Sequence, residues 1–155
     1  AKRFDEARAL AQQISDEGRR AAVLARVVEA LARVERFDEA RALAQQISHE
    51  DWQARALIVI AQRWAEIAHW DAVIRVISEV VTITIRQYDA ISDFLSTLPH
   101  PPTVLILVQR LWSQATRRND FYALLPAAAP LFVADPTLLS QILAGERWVQ
   151  DQLKW

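Results

Sequence analysis

Cysteine is missing from the whole chain, which removes disulfides, thiolate nucleophiles and cysteine-ligated metal sites together. Methionine is missing too, even at position 1, so the chain is expected to be a piece of a longer protein. With Gly18 and Gly145 as the only glycines, no glycine-rich loop can cradle a phosphate. Neither sign of charge is in excess, since 18 Lys and Arg against 19 Asp and Glu leave a formal net charge of −1. Phosphate neutralisation supplies most of the affinity for nucleic acid, and no basic stripe is present to provide it. The longest apolar runs, such as Val104 to Val108, fall far short of a membrane span. No charged-then-apolar leader opens the chain, although one can lie upstream of it. A cytoplasmic protein with no cofactor and no membrane partner is the expectation.

What is present is a repeat. RFDEARALAQQIS runs from Arg3 to Ser15 and again, with all thirteen residues identical, from Arg36 to Ser48. A weaker third copy begins at Trp70-Asp71-Ala72, in step with Phe4 and Phe37 at the same interval. A fixed period in the thirties marks a solenoid, whose unit must lean on its neighbours to bury its apolar face. The 155 residues, 52% of them hydrophobic, are about one domain's worth and long enough for a continuous core.

Taken in order, Phe4, Ala7, Leu10, Ala11 and Ile14 recur at helical spacing, which predicts a short amphipathic helix to Ser15. Ser15, Asp16 and Gly18 supply the break. A second helix is predicted from Arg20 to Val34, with Val23, Leu24, Val27, Val28, Leu31 and Val34 apolar, and a third from Phe37 to Ile47. Asp51 to Ala68 repeats the long helix, with Leu57, Ile58, Ile60, Ala61, Trp64 and Ile67 inward. Trp70 to about Glu79 repeats the short one. Phe4, Phe37 and Trp70 then hold one equivalent position, each just after a turn, and are expected to anchor the core.

The β-branched run Val80 to Ile85 is read as a turn leading into a helix that ends at Leu98. Ile91, Phe94, Leu95 and Leu98 form its inner face, a register set one residue beyond the earlier period. Pro99-His100-Pro101-Pro102 stops that helix, and one proline can open the next, about Thr103 to Arg118. Phe121 to Ala134 contains Pro126 and Pro130 and is expected as two short or kinked pieces. Asp135-Pro136 is an N-cap followed by a first-turn proline, opening a last helix to about Leu153. Charged residues thin out from 24 in the first 78 to 13 in the final 77, so the second half is either a closing cap or a docking surface.

The unit resembles the tetratricopeptide repeat (TPR). In that pattern bulky residues at the fourth, seventh and eleventh positions precede an aromatic and then an alanine across the turn. Leu24, Val27, Leu31, Phe37 and Ala40 fill those places in one unit. Leu57, Ile60, Trp64 and Trp70 fill them in the next, with Val73 where alanine is usual. The small residue of the eighth position is Ala61 in one unit but Val28 in the other, and the closing proline is missing. The resemblance covers roughly residues 3–98 and implies an all-α fold: a right-handed superhelix of antiparallel helical hairpins in one domain over residues 1–155, with 99–155 a divergent repeat and C-terminal cap. The alanine-rich FDEA units are similar to the tandem arrays that form the C-terminal sensor arms of bacterial STAND (NLR-like) NTPases and caspase-like effector proteins. Gly145 to Trp155 looks like the tryptophan-bearing helix that caps such arrays.

The resemblance implies a concave groove lined by the long helices. Its positions correspond here to Ala22, Ala25, Arg26, Glu29 and Arg33, then Arg55, Ile58, Gln62 and Glu66. A solvated helix face explains the charges among these as readily as a ligand groove does. TPR modules that grip a C-terminal carboxylate use a lysine and asparagine pair where this chain has Ala25 and Glu29, which argues against that ligand. His49, His69 and His100 stand at turns or helix ends, unpaired as metal ligands. Asp5-Glu6, Asp38-Glu39 and Glu50-Asp51 each open a helix, where the dipole already favours acids. Arg19-Arg20 and Arg117-Arg118 flank helix ends. Trp52, Trp64, Trp70 and Trp112 fit packing positions, whereas Trp148 and Trp155 suit a cap or an interface equally. The expectation is a non-enzymatic scaffold with a protein or peptide ligand. Self-association, or packing on other domains of the same protein, is the alternative, and a nucleic-acid-binding helical repeat ranks third.

Overall fold

In a computed structural model, residues 2–83, 88–99, 101–114, 122–137 and 140 are described. The elements among them are all helices: α1 (Lys2–Gln12), α2 (Glu17–Arg33), α3 (Phe37–Ala44), α4 (Glu50–Glu66), α5 (Trp70–Ile83), α6 (Tyr88–Ser96), α7 (Pro101–Gln114) and α8 (Leu125–Ala134). No strand occurs among the described residues, and no helix among them is long and apolar enough to cross a membrane.

The helices pack mainly on near neighbours in sequence. The long helix α2 touches α1, α3 and α4, and α4 touches α3, α5 and α6 besides. Further on, α5 packs on α7, while α6 and α7 both meet α8. One buried cluster threads these contacts from Ala11 through Leu31, Leu57, Ile77 and Leu107 to Leu131. Alanine supplies much of it: Ala21, Ala32, Ala40, Ala44, Ala54 and Ala61 are all buried, so helix axes can approach closely. Large side chains fill the remaining space. Each Leu or Ile sealed in this way, such as Leu57 or Ile60, stabilises by roughly 1.5–3 kcal/mol.

The repeat is written into the backbone as well as the sequence. At the end of α2 the Arg36 N–H donates to the Leu31 carbonyl and the Glu35 N–H to that of Ala32. At the end of α4, one repeat later, His69 donates to Trp64 and Ala68 to Ala65 in the same pattern. Both are Schellman endings, which need a left-handed residue. Glu35 and Ala68 occupy it with φ of 60° and 57°. A Cβ at such a φ is crowded by the following carbonyl, which glycine avoids. Ala68 is exposed, so Ala68→Gly is expected to stabilise by about 0.5–1 kcal/mol, seen as a higher urea midpoint at constant slope.

The identical segments also share their polar contacts. The Arg8 guanidinium donates to the Gln46 side chain at 2.8 Å, and its copy Arg41 reaches Glu79, the counterpart of Gln46, at 2.9 Å. Segments 3–15 and 36–48 both run helix then turn, with matching bonds from residues 13 and 46 back to the carbonyls of 10 and 43. Phe4, Phe37 and Trp70 are half-buried and pack against the core. Phe37 lies against the Trp64 ring at 5.2 Å, and the Arg36 guanidinium sits over Phe4 at 5.3 Å.

Several expectations are corrected. Gly18 lies inside α2 rather than in the break before it, because Asp16 starts the helix by accepting the Arg19 N–H at 2.7 Å. The run expected to turn at Val80 instead continues α5 to Ile83. Val73, Val76, Ile77 and Val80 form one buried stripe, and that packing outweighs the strand preference of β-branched side chains. Val34 and Ile67, expected inward, cap their helices at equivalent positions and are exposed. Pro101 and Pro102 both fall within α7, in its first turn, where a missing N–H leaves no intrahelical bond unmade. The two-piece expectation holds over the described residues 122–134: Tyr122 and Ala123 are helical, Leu124 turns, and α8 follows with Pro126 in its first turn and Pro130 inside it. At Asp135 the side chain accepts from the Thr137 hydroxyl and N–H, and the two bonds hold its carboxyl below the usual range. Trp148, Trp155, His100 and the Arg117-Arg118 doublet lie outside the described residues.

Candidate ligand cleft

Consecutive long helices bring equivalent side chains together. Glu29 on α2 and Gln62 on α4 hold the same place in successive units, as do Arg33 and Glu66. Glu29, Gln62 and Glu66 line one cleft of about 480 Å³, closed on its far side by Phe94, Thr97 and Leu98 at the end of α6. Val59 and Phe94 form part of an apolar wall, and Arg63 stands beside Glu66.

The polar side chains are held by bonds to their own helices. Glu29 accepts from Arg33 at 2.6 Å, and Glu66 accepts from Arg63 at 2.7 Å. Both pairs are largely exposed, so each contributes only about 0–1 kcal/mol to stability. Their effect is to orient carboxylates at the rim. Thr97 spends its hydroxyl proton on the Phe94 carbonyl at 2.7 Å, leaving its oxygen lone pairs toward other donors. With two carboxylates, one guanidinium and a primary amide on an apolar wall, the cleft offers more acceptors than donors. It suits a ligand that brings donors and an apolar side chain.

The remaining sequence-predicted positions do not join this cleft. Arg26 and Arg55 are exposed elsewhere, and Arg55 lies over the ring of Trp52 at 5.4 Å. Ala22 and Ala25 are half-buried, Ala25 against the core. Ile58 corrects the expected groove: it is 7% exposed and part of the buried cluster, because it faces the packed side of α4 and not its open side. Arg20, half of a basic doublet, donates to the Ile14 carbonyl at 3.1 Å, a contact that ties α2 to the end of α1.

Val59, Arg63, Phe94, Thr97 and Leu98 were missed from sequence. Thr97 was within reach, because the register set one residue beyond the regular period carries Arg63 onto Thr97. A second cleft of about 460 Å³ opens between the α4–α5 turn and α7, lined by His69, Trp70, Asp71 and Ile106 among others. Among the described residues no cluster of His, Asp and Glu could hold a metal ion. Comparison with protein-family models, with curated proteins and with solved structures finds no match.

Proposed function

We propose that the chain is a non-enzymatic recognition scaffold, a TPR-like right-handed superhelix that takes a peptide segment in the cleft between α2, α4 and α6. The observation that supports it most directly is that Glu29, Gln62 and Glu66, spaced by the repeat, converge with Phe94 and Leu98 on one cleft. Rigid helical hairpins preform such a site, so little ordering cost falls on the scaffold when it binds. The ligand chemistry that fits is an apolar side chain set against Val59 and Phe94, with an adjacent Lys, Arg or free N–H meeting Glu29 or Glu66. By its resemblance to sensor arrays, the scaffold belongs to the C-terminal arm of a larger bacterial signalling or defence protein. Self-association is the second reading, favoured by the exposed Val133 and Ile106.

A peptide library panned against the full chain tests the first reading. Recovered peptides are expected to share a basic residue next to an apolar one. Glu66→Lys should weaken their binding about ten-fold or more, roughly 1.4 kcal/mol, while unfolding stays within about 1 kcal/mol. Peptides indifferent to Glu66→Lys, or no enriched motif, would overturn the cleft as the binding site.

A further inference from the structure

We infer that the cleft between α5 and α7 takes the arginine side chain of a partner's peptide segment, its guanidinium over the Trp70 ring and paired with the Asp71 carboxylate. This cleft shares no lining residue with the one between α2, α4 and α6, and the inference does not rest on that site.

The repeat supplies an internal control. Phe4, Asp5 and Arg8 of α1 line a crevice of about 120 Å³ against α3. Two periods on, Trp70, Asp71 and Ile74 of α5 hold the same three places and line the cleft against α7, where the space is about 460 Å³. The aromatic ring and the acid are kept; the base is not. At the first junction Arg8 donates to Gln46 at 2.8 Å, and the Arg36 guanidinium sits over the Phe4 ring at 5.3 Å. At the second, Arg41 reaches across to Glu79 at 2.9 Å. At the third, Ile74 stands in the place of Arg8 and Arg41, and Pro102, two periods beyond Arg36, stands in the place of that residue. Both Ile74 and Pro102 line the cleft, and neither brings a guanidinium to it.

What the cleft retains is complementary to the group it has lost. No ion pair engages Asp71 among the described residues, not even with Arg75 one turn on. Tryptophan presents the strongest ring face for a cation, and a planar guanidinium can stack on it while donating to a carboxylate, which an ammonium does less well. Ile74, Pro102 and the exposed Ile106 offer apolar surface to the methylene stem of an arginine. Pro102 and Ile106 are both exposed at the rim, so residues flanking that arginine in a peptide also have apolar surface to lie on.

The probe is acetyl-arginine amide, titrated onto the isotope-labelled full chain and followed by the indole N–H signals in NMR spectra, with Trp70→Phe identifying the signal of Trp70. Saturable shifts of that signal are expected at about 1–10 mM. Acetyl-lysine amide should bind about three-fold or more weakly, and acetyl-citrulline amide, which keeps the shape but not the charge, about ten-fold or more weakly. Asp71→Asn, at an exposed position, should weaken the arginine probe about five-fold or more. Ile74→Arg restores the side chain of the other two units and should block the probe. The proposal fails if citrulline matches arginine, if Asp71→Asn leaves the affinity as it was, or if no saturation occurs. Agmatine binding more tightly than the amide would overturn the peptide in favour of a free guanidinium compound.

Discussion

Replacing Leu43 with alanine is expected to cost about 2–4 kcal/mol of stability, whereas the same change at Leu10 should cost less than about 0.5 kcal/mol. The two leucines sit in identical thirteen-residue strings, so helix propensity, neighbouring residues and the unfolded chain are matched and cancel. What differs is enclosure: Leu43 is 4% exposed and Leu10 64%. Deleting three buried carbons removes their transfer free energy and leaves a cavity, while deleting them from an open face does neither. Urea unfolding of the two variants beside the parent measures both terms. Equal costs would mean that α1 is covered in solution, and the account of its open face would be wrong.

The second large effect concerns Ile58. Ile58→Ala is expected to destabilise by about 2–4 kcal/mol, against less than about 0.5 kcal/mol for Gln62→Ala, one helical turn away. The first side chain belongs to the packed core and the second to the rim of the cleft. A groove-lining isoleucine would have given the reverse ordering in a binding assay with little change in stability. Thermal and urea unfolding of the pair separate the two roles, and a small cost for Ile58→Ala would return that residue to the surface.

These contrasts show what a sequence does and does not carry. The repeat was plain, because two copies share every residue from 3 to 15 and from 36 to 48, and helical periodicity named Leu24, Val28, Leu57 and Ile60 as inward. The limits appear where packing decides between options that local chemistry leaves open. Val80 and Val81 suit a strand by side-chain branching, yet they are buried in α5, since the stripe they extend has a helix to lie against. Val34 and Ile67 read as apolar face but fall at helix ends, where the left-handed turn carries them outward. For the cleft, Glu29, Gln62 and Glu66 followed from register alone. Phe94 and Leu98 did not, because their reach depends on how far α6 closes toward α4, which no spacing encodes.

Identical strings pose a sorting problem during folding, since either could settle in the other's place with its apolar contacts nearly conserved. The residue at 79 sets the two places apart. Arg8 meets only the neutral amide of Gln46, but Arg41 meets the carboxylate of Glu79 through two nitrogens, and Gln45 adds a third bond at 2.7 Å. Charge-assisted bonds are roughly twice as strong as neutral ones, and this pair is more enclosed than the other ion pairs of the repeat. One acid, lying outside both strings, thus labels which copy sits where, as a keyed plug distinguishes two sockets of the same shape.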